Sequence, residues 1–198
     1  MTQVLETLKK HQLLANIMKC EFAQQSLVYL GYVVGGGELK INPSKMEAIM
    51  KWLMPTDVIE VRSFIGVAQY LRTFIASFSV VAALLHAITT CGKGFQWGEG
   101  QQKAFDELQK KISEAPVLAL PNLQRPFEVE TYASGYAMGV LLMQGRRLIC
   151  YHYEVFHGAI INYPAYDKEL YSMVLALKKW KHYLMGKEII IHIDHKPL

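Results

Sequence analysis

Carboxylates after residue 126 have the side-chain type that binds divalent metal ions. Among them are Glu130, Asp167, Glu169 and Asp194. Mg²⁺ takes carboxylate oxygens as ligands and requires them in near-octahedral geometry. A metal site therefore depends on which of these side chains the fold brings to one place, and the predicted elements decide that.

The elements that carry these carboxylates are predicted to be a strand, a hairpin, a helix and a further strand. Residues 126–132 alternate between apolar and polar side chains, as a half-buried strand does. Apolar runs over 137–144 and 146–153 predict a hairpin. Residues 165–184 predict a helix before a strand over 188–194, and a helix between two strands gives a crossover with parallel strands. The apolar stripe predicted for this helix is Leu170, Met173, Val174, Leu177 and Trp180.

The N-terminal residues predict a short helix and one strand. The strand is expected over Leu27–Val34, which is rich in β-branched and aromatic residues and is ended by three glycines. A helical block follows. Asn42 and Asp57 are placed to cap its first two helices, the first of which is expected to end near Leu53.

The rest of the first 125 residues predicts two further helices and ends in a short apolar run. The helices are expected over 78–88 and about 101–115, and Val117–Pro121 is interpreted as the start of the next domain. The fold class is therefore mixed, α+β with an α/β part. The predicted parts are 1–41, a helical part over 42–91, a connecting helix and linker over 92–125, and an α/β domain over 126–198.

Composition limits the class of protein. Hydrophobic residues make up 52% of 198 residues, so the chain can bury a packed core and is not expected to be disordered. The formal charge of +4 permits a nucleic-acid partner without requiring one. No apolar run reaches the roughly 18 residues of a membrane span, so no membrane partner is expected.

The histidines and cysteines give weaker signals. His192 and His195 flank Asp194, which could indicate a transition-metal site. The favoured interpretation is one histidine on the strand and one at its end. The cysteines are odd in number and form no metal-ligand pattern, which indicates reduced thiols in a cytoplasmic or nuclear protein. They are Cys20, Cys91 and Cys150.

Several short motifs give the chain a family resemblance. Its C-terminal part resembles the ribonuclease H domain of gypsy-type LTR-retrotransposon Pol polyproteins. The residues that carry this resemblance are Thr131–Gly135, Asn162–Pro164, Tyr166–Leu170, His182–Leu184 and Asp194–Leu198. Residues before position 76 resemble the end of the polymerase palm and the thumb. The matching segments are Ala15–Asn16, Lys19–Phe22, Tyr29–Gly31, Val61–Gly66 and Tyr70–Ile75.

This resemblance implies a two-magnesium ribonuclease site and also a defect in it. The family's acidic positions correspond to Tyr132, Glu169 and Asp194, with a fourth expected beyond Leu198. Tyr132 replaces an Asp, and a phenol with a pKa near 10 is neutral at pH 7 and a poor magnesium ligand. Rescue by Glu130 is not favoured because about 6.6 Å separates it from position 132 along a strand. Asp167 is expected to face another side of its helix.

The resemblance to the thumb implies contact with a template–primer duplex. Lys45, Lys51, Arg62 and Arg72 are candidate phosphate contacts, with ordinary solvated helix faces as the alternative. The chain contains no Tyr-x-Asp-Asp motif, so polymerase activity is not expected. The ribonuclease H-like part is also expected to be incomplete, with an open edge that a protein partner or a second copy could cover.

Three functions follow as hypotheses. The first is a catalytically inactive, retrotransposon-derived protein of the reverse transcriptase/ribonuclease H type, a pseudoenzyme that keeps weak binding to RNA–DNA hybrid or duplex. The second is a protein-interaction module built on the same fold. The third is a magnesium-dependent endonuclease that cleaves RNA in hybrids, with Glu169 and Asp194 among its ligands. Whether Tyr132 was selected or arose by random decay is left open.

Overall fold

The computed structural model describes residues 2–90 and 94–193. They form two four-stranded sheets with helices packed on them, so the mixed fold class is confirmed. The elements are α1 (Thr2–Lys10), β1 (Ser26–Tyr29), β2 (Tyr32–Gly35), β3 (Glu38–Ile41), α2 (Pro43–Met50), α3 (Val58–Tyr70), α4 (Phe78–Thr90), α5 (Glu99–Ser113), β4 (Leu118–Ala119), β5 (Phe127–Ala133), β6 (Ala137–Gln144), β7 (Arg147–Val155), α6 (Ala165–Lys179), α7 (Lys181–Leu184) and β8 (Ile189–Ile193).

The first sheet is the antiparallel series β1-β2-β3-β4. The single strand expected over Leu27–Val34 is wrong. The chain instead turns at Leu30 and Gly31, which both have positive φ angles, and forms the hairpin β1–β2. Tyr32 ties this sheet to the helices, because its hydroxyl donates to the Tyr70 carbonyl at 2.7 Å and the two rings stack with centroids 4.9 Å apart.

The helical part is built by α2 to α5, and the predicted caps begin two of these helices. The Asn42 side chain accepts from the Ser44 amide at 3.0 Å, and Asp57 accepts from the Glu60 amide at 2.7 Å. Such caps satisfy amides that have no partner within the helix. The helix predicted to reach Leu53 ends at Met50. The core of this part includes Phe64, Leu71, Phe74, Leu85, Phe105 and Leu108.

The interpretation of Val117–Pro121 as the start of the second domain is wrong in one respect. Strand β4 pairs with β3 of the first sheet, with Leu39 opposite Leu118. Leu118 is buried in the first core and the adjacent Ala119 in the second, because successive side chains of a strand point to opposite faces. Strand β4 therefore lies between the two cores, whereas helix α5 of the same segment packs against α2 and α4 in the first core.

The second sheet has the strand order β7-β6-β5-β8. Strands β5, β6 and β7 are antiparallel, whereas β8 pairs parallel to β5, as predicted for a hairpin followed by a crossover helix. Helix α6 packs on β5 and β6. The core between them includes Phe127, Val129, Met138, Val140, Leu142, Ala176 and Trp180.

The apolar stripe predicted for α6 is partly wrong. Leu170 and Val174 are exposed, whereas Lys168, Ser172 and Ala176 are buried against the sheet. The predicted single helix is also two helices that meet at Trp180. No helix among the described residues is long and apolar enough to cross a membrane.

Candidate carboxylate site and basic cleft

Tyr132 lies near the end of β5 on the face of the sheet opposite α6. Val129 and Thr131, which point to the other face of the strand, are buried, whereas Tyr132 is 38% exposed. Its backbone pairs with Gly139 of β6. The phenol hydroxyl donates a hydrogen bond to the carboxylate of Glu130, which lies two residues earlier on the same face. The tyrosine is thus accommodated without any irregularity in the pairing of β5 with β6.

Glu169 lies in the first half of α6, close to the turn that follows β5. The neighbouring Lys168 places it there, because the buried Lys168 donates from Nζ to the Gly135 carbonyl at 2.9 Å. Glu169 is half-buried, and its Oε2 atom has no contact with solvent. Asp167 is exposed, in keeping with the prediction that it faces another side of the helix.

The third candidate, Asp194, and its neighbour His195 lie outside the described residues. The register of β8 is defined up to Ile193, which pairs with Thr131. His192 is at the edge of the same sheet, with Nε2 3.5 Å from Oε2 of Glu128.

The described residues do not assemble a ligand set for magnesium. Across 2–90 and 94–193, no group of three His, Cys, Asp or Glu side chains could hold a metal ion. The phenol of Tyr132 is a neutral hydrogen-bond donor at the position where a metal needs an anionic oxygen. The donor chemistry of the described residues therefore does not fit a magnesium pair.

The four candidate phosphate contacts lie in different surroundings. Lys45 Nζ lies 4.8 Å from the centre of the Tyr70 ring, and Lys51 pairs with Glu47 at 2.5 Å. Arg62 donates to the Thr89 carbonyl at 3.2 Å. Lys45 lies in α2, Lys51 caps the end of the same helix, and Arg62 lies in α3. These three cations make local contacts, whereas Arg72 extends into a cleft between the helical part and the second sheet.

This basic cleft has a volume of about 310 Å³ and was not predicted from the sequence. Its polar lining comes from four elements or their ends: the turn after α3, α4, β7 and α6. The residues that define it here are Arg72, Ser79, His86, His152, Tyr153 and Lys179. These positions are spread over 108 residues, 72 to 179, and no spacing rule within one helix or strand connects them.

Burial and the nearby positive charges both lower the pKa of His152, which lines the basic cleft. Burial lowers this pKa below its ordinary value of 6.5, and the positive charges of Lys179 and, more weakly, Arg72 lower it further. Glu154 acts in the opposite direction, with its Oε2 3.3 Å from His152 Nε2. His152 is consequently favoured in its neutral form.

Comparison with known proteins agrees with the fold of the second sheet. Residues 97–191 match the family described as the RNase H-like domain found in reverse transcriptase. The chain shares its fold with a foamy viral protease–reverse transcriptase dRH in complex with double-stranded DNA, with a TM-score of 0.86, 18% identity, and coverage of 98% of this chain and 35% of that one. The same viral protein in complex with RNA/DNA hybrid gives a TM-score of 0.85 at 18% identity, with coverage of 100% and 28%.

Curated relatives are Pol polyproteins. Pol from transposon 297 of Drosophila melanogaster is 34% identical over 184 residues, which cover 91% of this chain and 17% of the relative. Pol from the gypsy transposon of the same species is 33% identical over 193 residues, which cover 91% and 19%. The Gag-Pol polyprotein of feline leukemia virus is 30% identical over 196 residues, which cover 97% and 11%. The chain thus spans less than a fifth of the length of each of these relatives.

The sheet order and the family match define an RNase H-like domain of the reverse transcriptase type. The chain belongs to the Pol-derived sequences that carry this domain, as its motifs predicted. The matched region begins at residue 97, ahead of the boundary expected near 126, so it includes α5 and β4.

Proposed function

We propose that this chain is a retrotransposon-derived protein of the reverse transcriptase/ribonuclease H type that binds RNA–DNA hybrid or duplex without cleaving it. The observation that carries the loss of cleavage is Tyr132, with its hydroxyl donated to Glu130. The resemblance puts the first catalytic aspartate at this position.

The chemistry of the phenol supports an inactive site. A ribonuclease of this type uses two metal ions to activate water and to stabilise the leaving oxygen. Tyr132 is neutral at pH 7 and uses its proton in the hydrogen bond to Glu130, so it supplies no anionic ligand. Glu130 accepts this hydrogen bond through one carboxylate oxygen, which is then not free to bind a metal ion.

Support for nucleic-acid binding comes from the fold and the charge. Two structures of foamy viral protease–reverse transcriptase that share the fold of this chain contain double-stranded DNA in one case and RNA/DNA hybrid in the other. The chain itself carries a net charge of +4 and a cleft whose charged lining is cationic. Phosphate contacts by Lys and Arg give affinity that is independent of sequence and sensitive to salt.

The test is a paired assay of cleavage and binding on one labelled RNA–DNA hybrid. The variants are wild type, Tyr132→Asp, Tyr132→Asp/Glu169→Gln, and Tyr132→Phe as the control that removes only the hydroxyl. With magnesium present, the expected cleavage is none, weak, none and none. Binding of the hybrid at low salt is expected for all four proteins.

Two results would contradict the proposal. Cleavage by wild type that Glu169→Gln abolishes would show that the phenol does not disable the site. Failure of wild type to bind hybrid at low salt, with the protein folded, would remove the nucleic-acid role.

A protein-interaction module is the second candidate, favoured by the outer face of α6. Three apolar side chains on this helix are exposed by 64%, 45% and 39%: Tyr166, Leu170 and Val174. Such a row on one helix is typical of a surface that another protein covers. Sedimentation of wild type and Leu170→Glu would detect self-association that this face mediates.

A further inference from the structure

We propose that the basic cleft between the helical part and the second sheet binds a phosphate group, and that in the bound complex this is a backbone phosphate of the nucleic acid. The inference rests on the proposed nucleic-acid binding, to which it adds a specific contact site. The cleft is separate from the Tyr132 and Glu169 region, because it is lined by β7 and the far end of α6.

The geometry brings unpaired cations together from distant parts of the chain. Arg72 comes from the turn after α3, and Lys179 from the last residue of α6. Both line the cleft, and neither forms an ion pair with another described residue. His86 of α4 also lines the cleft. No acidic side chain lines the cleft in the part of the chain that the structure describes.

The backbone that follows Arg72 is fixed by side chains buried in the first core. Phe74 and Ile75, which follow Arg72, are each 1% exposed, and Phe78 at the start of α4 is 5% exposed. Ser79 Oγ donates to the Tyr153 carbonyl at 3.1 Å, which fastens α4 to β7 across the cleft. A site with fixed walls loses little conformational entropy when an anion binds.

The size and polarity of the cleft suit a hydrated anion. Its volume of about 310 Å³ is roughly ten times the 30 Å³ that a water molecule occupies in the liquid, so a phosphate and bridging waters fit. The lining also includes three residues that carry a hydroxyl group: Ser79, Tyr151 and Tyr153. After burial, the charges of Lys179 and, more weakly, Arg72 contribute to the lowered pKa of His152, and Glu154 opposes them.

The first arm of the test uses inorganic phosphate alone. The chain is titrated with phosphate in a HEPES buffer at constant ionic strength while the imidazole resonances of His152 are followed by NMR. Phosphate in the cleft is expected to shift these resonances saturably and to raise the pKa of His152, because an anion offsets the charges of Lys179 and Arg72. Arg72→Gln and Lys179→Gln should each weaken the response by about threefold to tenfold.

Lys178→Gln is the matched control for Lys179→Gln. Lys178 is the preceding residue of α6, has the same charge, is exposed and does not line the cleft. It is expected to leave phosphate binding unchanged. Melting curves of all variants establish that any loss is not a loss of folding, since all three side chains are exposed.

The second arm measures binding of a labelled RNA–DNA hybrid across a range of salt concentrations. Arg72→Gln and Lys179→Gln are each expected to lower affinity and to reduce the slope of log affinity against log salt by about 1, whereas Lys178→Gln leaves both unchanged. Hybrid binding that is insensitive to Arg72→Gln and Lys179→Gln would overturn the backbone contact while leaving the proposed function intact. Saturable phosphate binding without hybrid binding would overturn the proposed function and reduce the cleft to a site for a free anion. No saturable response to phosphate, together with insensitive hybrid binding, would overturn the inference altogether.

Discussion

At the scale of single residues, Tyr132 changes the chemistry of its site without changing the architecture around it. The pairing of β5 with β6 uses backbone groups, and Tyr132 stays in register with Gly139. The side chain lies on the exposed face, where a ring is tolerated. The proposed loss of RNA cleavage therefore has two causes at position 132: a negative charge is missing, and a hydrogen bond to Glu130 is added.

Magnesium should consequently bind weakly and stabilise the chain little. A ligand that binds only the folded state raises stability by RT ln(1 + [L]/Kd), so a site with a Kd far above the magnesium concentration gives almost no shift. We expect millimolar magnesium to leave the Tm of wild type nearly unchanged in a calorimetric scan.

The same scan on two variants provides the control. Tyr132→Asp should gain a measurable, saturable rise in Tm with magnesium, and adding Glu169→Gln should remove it. A saturable rise in wild type that Glu169→Gln abolishes would demonstrate an intact metal site and contradict the proposal.

At the scale of elements, α6 is positioned by an unexpected polar anchor. Lys168 is 7% exposed, its ammonium donates to the Gly135 carbonyl, and it lies 5.8 Å from the centre of the Phe156 ring. The aliphatic part of a lysine packs like an apolar residue while its end keeps a polar contact. This explains why the buried face of α6 begins at Lys168 and not at Leu170.

Removal of this anchor should loosen the start of α6. Lys168→Ala loses both packing and a charge-assisted hydrogen bond, and we expect a loss of about 2 kcal/mol in the free energy of unfolding. Lys168→Met keeps most of the packing and should lose about 1 kcal/mol. Urea denaturation followed by circular dichroism measures both values.

The matched control is Lys178→Ala on the exposed end of the same helix, which should change stability by less than about 0.5 kcal/mol. Equal losses for Lys168→Ala and Lys178→Ala would show that Lys168 does not anchor the helix.

Local patterns predicted much of the element structure, and the failures have identifiable causes. The caps at Asn42 and Asp57 and the alternation in β5 are local signals that the structure confirms. The turn at Leu30–Gly31 was missed by the strand prediction because it lies inside an apolar run and needs a leucine with positive φ, which is uncommon. The outer face of α6 was misassigned because a lysine replaced an apolar residue on the buried side.

At the scale of the whole molecule, β4 joins the two cores. It pairs with β3 of the first sheet while Ala119 packs in the second core, and Arg147 of β7 pairs with Glu38 of β3 at 3.1 Å. The basic cleft likewise brings together the turn after α3, helix α4, strand β7 and the end of α6. Contacts of this kind depend on the tertiary packing, so neither β4's partner nor the cleft was predictable from periodicity.

We expect the two parts to unfold together because they share this strand. Leu118 is 1% exposed in the first core, and Leu118→Ala should cost about 2–5 kcal/mol. Fluorescence and circular dichroism should report one coincident transition, shifted as a whole by the substitution. Leu120→Ala, at a position that is 38% exposed, is the control and should have a much smaller effect.

Two separate transitions, only one of which responds to Leu118→Ala, would show that β4 does not couple the parts.

The exposed setting of Tyr132 has a consequence for heredity. Tyrosine and aspartate codons differ only in their first base, so one point mutation converts either residue into the other. Since position 132 lies on an open sheet face and pairs through its backbone, that mutation requires no compensating change in the core. A single replication error can therefore exchange aspartate and tyrosine at position 132 in a copy of such a sequence. The fold tolerates the exchange in either direction.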